Sequence, residues 1–178
     1  MDLEREIQRA FMQDAALEDL EPRTKKSNPA SHWPRAVMME RSAYLKEMAR
    51  FSSGAASETV REFPGHRVMM LFRSRTGEAE IHARHADVFV VLAGAATLVT
   101  GGKLEGAREV EPGETRGTAI EGGTEQQLRP GDVAHVPAGV PHQILIAGEQ
   151  IISCLMLKIE WREEENCPAG EKNLKKPR

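Results

Sequence analysis

The chain is poor in cysteine, with two thiols among 178 residues, and they stand in unlike settings: Cys154 inside the apolar run Ile151 to Ile159, Cys167 in a polar tail. Neither belongs to a spaced metal pair, so no disulfide framework is expected. Cys154 reads as a small buried apolar residue and Cys167 as a solvent-exposed one. Long apolar runs are missing too. Nothing approaches the roughly 20 residues that span a bilayer, and the amino terminus alternates charged and apolar residues instead of building a signal-peptide core. The expected location is the cytoplasm, with no membrane partner. Nor is there an excess of positive charge, since 24 Lys and Arg face 27 Asp and Glu for a net charge of -3. A general basic field that would gather nucleic acid or anionic lipid is thereby excluded. Acidic residues dominate Met1 to Leu20, where a helix-turn-helix reader would need basic ones.

The length suits one domain with appendages, enough to close a small β-barrel around its own core. Leu3, Ile7, Ala10, Phe11 and Leu17 recur at helical spacing and predict an amphipathic helix to about Leu20. The segment from Glu21 to Pro34 carries three prolines and reads as a linker or an arm. A second helix is expected from about Glu40, with Tyr44, Leu45, Met48 and Phe51 as its buried stripe and Ser52-Ser53-Gly54 as its stop. Residues 1–60 thus form a helical extension and arm, 61–160 the strand-rich body, and 161–178 a charged tail without pattern. Val68 to Phe72 is apolar on both faces, as for a strand buried between sheet and helix or between two protomers, and is expected to begin the body. With the first helix it offers more apolar surface than one small barrel covers, which predicts a homodimer. Glu105 to Gly117 reads as a polar loop, either a lid or a hairpin tip, and Thr118 to Leu128 as a hairpin turning at Glu121-Gly122-Gly123.

The informative residues fall in two segments. In the first, Glu80 and His82 lie two apart on a strand and therefore face one side; Asp87 follows, then an apolar run ending at Gly94. In the second, Gly131 opens a turn, and Pro137-Ala138-Gly139-Val140-Pro141 makes a rigid corner delivering His142 to the next strand. Together they resemble the cupin family, whose motifs read H-x-H, three or four residues, E, six residues, G, and then G-x5-P-x-G-x2-H-x3-N. Glu80 replaces the first histidine, His82 is literal, Asp87 replaces the glutamate, and Gly94 keeps its spacing. Gly131, Pro137, Gly139 and His142 all match in the second motif, with Ile146 in place of the asparagine. The resemblance runs from about Val68 to Ile159.

That resemblance implies a mainly β cupin jelly-roll, a double-sheet barrel with amino-terminal helices, and a metal held at Glu80, His82, Asp87 and His142. Two imidazoles with one or two carboxylates suit a divalent Fe, Mn, Zn or Ni ion with open positions for a small-molecule ligand or dioxygen. The other reading of the same residues is a hydrogen-bonded polar cluster in a metal-free barrel. His85 is a further ligand or acid-base candidate, while His135, His32 and His66 are not assigned to the site. Met70, Phe72, Phe89 and Val91 are candidate pocket walls, each equally able to be core. Arg67, Arg73, Arg75 and Arg84 could clamp a carboxylate or phosphate. The functional expectation is a metal-binding barrel acting on or holding a small organic molecule, as an oxygenase or isomerase if an enzyme, or else a non-enzymatic binding or sensor module.

Overall fold

The computed structural model describes residues 30–161; the helix expected before Leu20, most of the proline-bearing arm and the charged tail with Cys167 lie outside the described residues. Among the described residues helix α1 (Arg35–Ala49) comes first, and it buries Met38, Ser42, Leu45 and Ala49, one stripe at spacings of four and three. The expected stripe is thus only partly right. Leu45 is buried, but Met48 is 41% and Phe51 82% exposed. The apolar spacing misled because the buried face includes a polar residue: the Ser42 hydroxyl donates to Ser153 Oγ at 2.6 Å, which satisfies it inside the packing. Tyr44 packs at the edge of the same cluster, and Arg41 pairs with Glu58 to tie the helix to the first strand.

One antiparallel sheet has five strands in the order β1 (Ala55–Phe63), β2 (His66–Arg73), β13 (Ile152–Glu160), β4 (His85–Gly94), β11 (Val133–Val136). A second has six, in the order β10 (Thr124–Leu128), β5 (Ala96–Thr100), β12 (His142–Leu145), β3 (Ala79–His82), β8 (Glu114–Gly117), β7 (Arg108–Glu111). A separate pair joins β6 (Lys103–Glu105) to β9 (Ala119–Glu121). The main core fills the space between the two large sheets, with Leu71, Phe89, Val91 and Cys154 from the first meeting Ala96, Leu98 and Ile144 from the second. This is the double-sheet jelly roll, and it is mainly β as expected. Burial pushes the Cys154 thiol up to about 12, so it behaves as an inert apolar group.

Three expectations are corrected. The sheet begins at β1, before both Val68 and residue 61; β1 is an edge strand of half-buried and exposed residues with no strong alternation to announce it. Glu105 to Gly117 is not a loop but contains β7 and β8, whose polar sequence hides them because β7 is exposed throughout. The segment after it is not a hairpin: β9 pairs with β6, whereas β10 pairs with β5. Strand β2 is buried on both faces as expected, since Met70 and Phe72 pack under α1 while Leu71 joins the inter-sheet core. The chain's own helix covers that face, so the strand no longer argues for a second protomer.

Gly94 marks the crossing between sheets. Its φ is 79°, and a Cβ there would lie 2.0 Å from the Ile151 carbonyl oxygen, so only glycine fits.

Candidate metal centre

The alternation of β3 turns Glu80 and His82 together into the barrel, and β12, antiparallel beside it, sets His142 directly opposite Glu80. One ligand atom from each of these three lies within 4.8 Å of the others. Asp87 arrives from β4 on the facing sheet, with Oδ2 3.3 Å from His82 Nε2 and 3.5 Å from His142 Nε2. Glu80 Oε2 is 3.2 Å from His82 Nε2 and 4.0 Å from His142 Nε2. The four residues singled out in the sequence therefore meet at one place.

Local backbone bonds explain why both rings are aimed there. The Gly139 N–H, at a φ of 76°, donates to the His82 carbonyl at 2.8 Å, fastening the corner of the second motif to the strand end of the first. His142 Nδ1–H donates to the Val140 carbonyl at 3.1 Å. His82 Nδ1 bonds to the carboxylate of Glu114, its cross-strand partner on β8. With both Nδ1 atoms held, a neutral ring keeps its proton there and offers Nε2 as a lone pair. His82 Nε2 is buried, and although Glu80 and Asp87 oxygens lie 3.2 and 3.3 Å away it makes no well-aligned hydrogen bond to either. A buried polar atom whose hydrogen bonds are poorly aligned is costly. A divalent cation accepting both Nε2 atoms and the two carboxylates would answer it, so the donor set fits the metal that the resemblance implies.

The same cluster is also charge-balanced by protein groups. Arg116 Nη1 lies 2.7 Å from Glu80 Oε2, and Lys158 Nζ 3.2 Å from Asp87 Oδ1. Burial works against the Glu80 carboxylate, yet His82 and the Arg116 charge hold its pKa down at about 2. Asp87 is likewise opposed by burial and lowered well below the usual carboxylate range by His142, His82 and Lys158. For His82 burial again works against the charged form, and the Asp87 and Glu80 carboxylates outweigh it, raising the ring to about 9.

The cluster lies in a cavity of about 580 Å³. Phe89 and His85 line it; Met70, Phe72 and Val91 do not. For β2 the reason is alternation: Met69 and Leu71 face the cavity, which sends Met70 and Phe72 to the helix side. Val91 sits deeper, in the inter-sheet core. His85 lies 3.8 Å from Glu114 through Nδ1, and burial lowers its pKa. Arg67, Arg73 and Arg84 line the cavity, whereas Arg75 is exposed outside it. His32 and His135 are exposed, and His66 stacks on Phe63 with ring centroids 4.8 Å apart. The β7–β8 turn borders the cavity mouth through Pro112 and Gly113, as a hairpin rather than a free lid.

Sequence reasoning missed Glu114, Arg116 and Lys158. Lys158 was findable: it is the lone charge inside the apolar run from Ile151 to Ile159, in alternation with Cys154 and Met156. Glu114 and Arg116 carried no such signal, because only the β3–β8 register places them opposite His82 and Glu80.

Two antiparallel sheets closed over a cluster supplied by both motifs define a cupin fold, the double-stranded β-helix. No family model matches the sequence, and no curated protein is a significant match. Solved structures similar to the chain include a Thermus thermophilus protein, at 18% identity over 66% of this chain and 95% of that one, with a TM-score of 0.47. KdgF from Halomonas sp. is similar at 18% identity over 62% and 84%, with a TM-score of 0.43. An uncharacterized Klebsiella pneumoniae protein with a double-stranded β-helix domain is similar at 15% identity over 61% and 78%, with a TM-score of 0.45. Likeness at this level assigns neither substrate nor reaction.

Proposed function

We propose that the chain binds one divalent transition metal through His82, His142, Glu80 and Asp87, and uses it to hold or transform a small organic molecule in the barrel. The observation that carries the reading is the convergence of two Nε2 atoms whose rings are fixed from behind, His82 by Glu114 and His142 by the Val140 carbonyl. A bound ion would supply Lewis acidity or a site for a small ligand. The protein's own groups do the rest. Arg116 and Lys158 hold the carboxylates in place, Phe89, Met69 and Met156 wall the cavity against water, and His85 stands at its edge as a candidate proton carrier. Elemental analysis of untagged protein tests this. About one equivalent of Fe, Mn, Zn or Ni is expected, with loss in His142→Ala; absence of metal in both after reconstitution overturns it.

A second reading has its own support. Lys158 on Asp87 and Arg116 on Glu80 already neutralise both carboxylates, so the cluster could serve a metal-free binding barrel. A chelator-treated protein with unchanged ligand affinity would favour that reading. Among the described residues, no helix is long and apolar enough to cross a membrane.

A further inference from the structure

Among the described cations of the cavity, Arg67 is the one that nothing answers. Arg116 and Arg73 approach Glu80 at 2.7 and 3.6 Å, and Lys158 approaches Asp87 at 3.2 Å. Arg84 donates from Nη2 to the Pro112 carbonyl at 3.4 Å. Arg67 has no ion pair among the described residues, and its Nε is buried without a hydrogen-bond partner.

Its place in the sheet makes this expensive. Arg67 on β2 stands opposite Lys158 on β13, and Lys158 stands opposite Asp87 on β4, so the three form one rung facing the cavity. Like charges directly opposite each other destabilise a sheet. Asp87 is the one acid of these three, and Lys158 and the two histidines already engage it; Glu62 on β1 extends the rung on the other side of Arg67, but it is exposed and makes no ion pair with it among the described residues. The Arg67 guanidinium is therefore left without an ion-pair partner. Beside it, His85 Nδ1 is a second buried ring nitrogen without a hydrogen-bond partner. A further hollow of about 180 Å³, bordered on its far side by Glu62 and Glu160, shares Arg67, His85 and Lys158 with the main cavity, so these three side chains stand where the two spaces adjoin.

We infer that Arg67, with Lys158 and His85 beside it, forms an oxyanion subsite for the carboxylate or phosphate of a small organic ligand whose other end reaches the Glu80, His82, Asp87 and His142 cluster. Neighbouring strands lie about 4.8 Å apart, so the Arg67 and Asp87 backbones are separated by about 10 Å, a span one small acid can bridge. The guanidinium suits either oxyanion through paired N–H donors. This names a ligand class for the site proposed above and rests on that reading only for the ligand's second end; capture of the anion by Arg67 needs no metal.

Titration calorimetry of the full chain with inorganic phosphate and with succinate, metal-loaded and chelator-treated, tests it. Binding of at least one anion is expected, weakened roughly tenfold or more in Arg67→Gln and unchanged in Arg75→Gln, the exposed control. Tighter phosphate binding points to a phosphorylated ligand and tighter succinate binding to a carboxylate. The thermal midpoint of Arg67→Gln should equal or exceed that of the parent, because a repulsion is removed, which separates a binding role from a structural one. Anion binding that persists without metal upholds the subsite even if the metal reading falls. No binding of either anion in either state, or Arg67→Gln binding like the parent, overturns it whatever the metal content.

Discussion

Two neighbouring rungs of the same three strands carry opposite duties. Met69, Met156 and Phe89 lie across β2, β13 and β4, and two residues along the same strands lie Arg67, Lys158 and Asp87. Both rungs line one cavity. The backbone is common to them, so the difference belongs to the side chains. The apolar rung gains from leaving water, whereas the charged rung must recover a desolvation cost through its partners and leaves Arg67 unanswered. Under the subsite proposed above, the anion of a bound ligand would complete this rung.

Breaking the apolar rung should have the largest effect on folding. Phe89 is buried at 2% exposure, and Phe89→Ala is expected to cost about 3–5 kcal/mol in urea or thermal unfolding. Metal content of the fraction that stays folded should be unchanged, since Phe89 contributes no ligand. Removing Asp87 attacks the other rung. Asp87→Ala strands the buried Lys158 ammonium and should cost about 3–5 kcal/mol, together with metal. The double variant Asp87→Ala, Lys158→Met should recover most of that stability while metal stays lost. A double variant no more stable than the single would show that the pair does not set the cost.

A smaller effect tests the other face of the same sheet. Ser42→Ala leaves the buried Ser153 hydroxyl without its partner and should cost about 1–3 kcal/mol, read by thermal unfolding. Metal and anion binding should not move, because α1 touches the sheet from outside the barrel.

The contrast between rungs also explains what the sequence disclosed. Strand alternation joined Glu80 to His82, and the rigid corner announced His142, because both are local rules of chain geometry. The pocket wall failed on β2, where Val68 to Phe72 is apolar at every position and alternation cannot tell Met69 from Met70; α1 decides it. Met48 failed because a serine occupies the buried stripe of α1, and Phe51 because the helix ends at Ala49, before reaching it. Glu114 and Arg116 depend on a register between strands about 30 residues apart in sequence, which no local pattern contains. Lys158 was visible as a lone charge in an apolar run, but its partner across the sheet was not.

The finest test concerns protons, and it sets the cluster's stability against its metal affinity. In chelator-treated protein the Glu80 pKa falls from 4.5 to about 2, so its contribution is complete above about 4.5 and is lost as pH drops toward 2. Asp87 is lowered too and acts in the same direction. His82 rises from 6.5 to about 9, so its contribution is complete below about 6.5 and is lost as pH climbs through 9. Metal-free stability should therefore be greatest between about pH 4.5 and 6.5, and thermal unfolding across pH measures it. Metal binding must displace the His82 proton over the range where the ring is charged, so apparent affinity should rise with pH up to about 9, on the order of tenfold per unit. Between pH 6.5 and 9 the two curves should run oppositely, the metal-free fold weakening while the metal tightens. A metal-free stability flat across that interval would mean His82 carries no proton there, and the carboxylates would then owe their low pKa values to Arg116 and Lys158 alone.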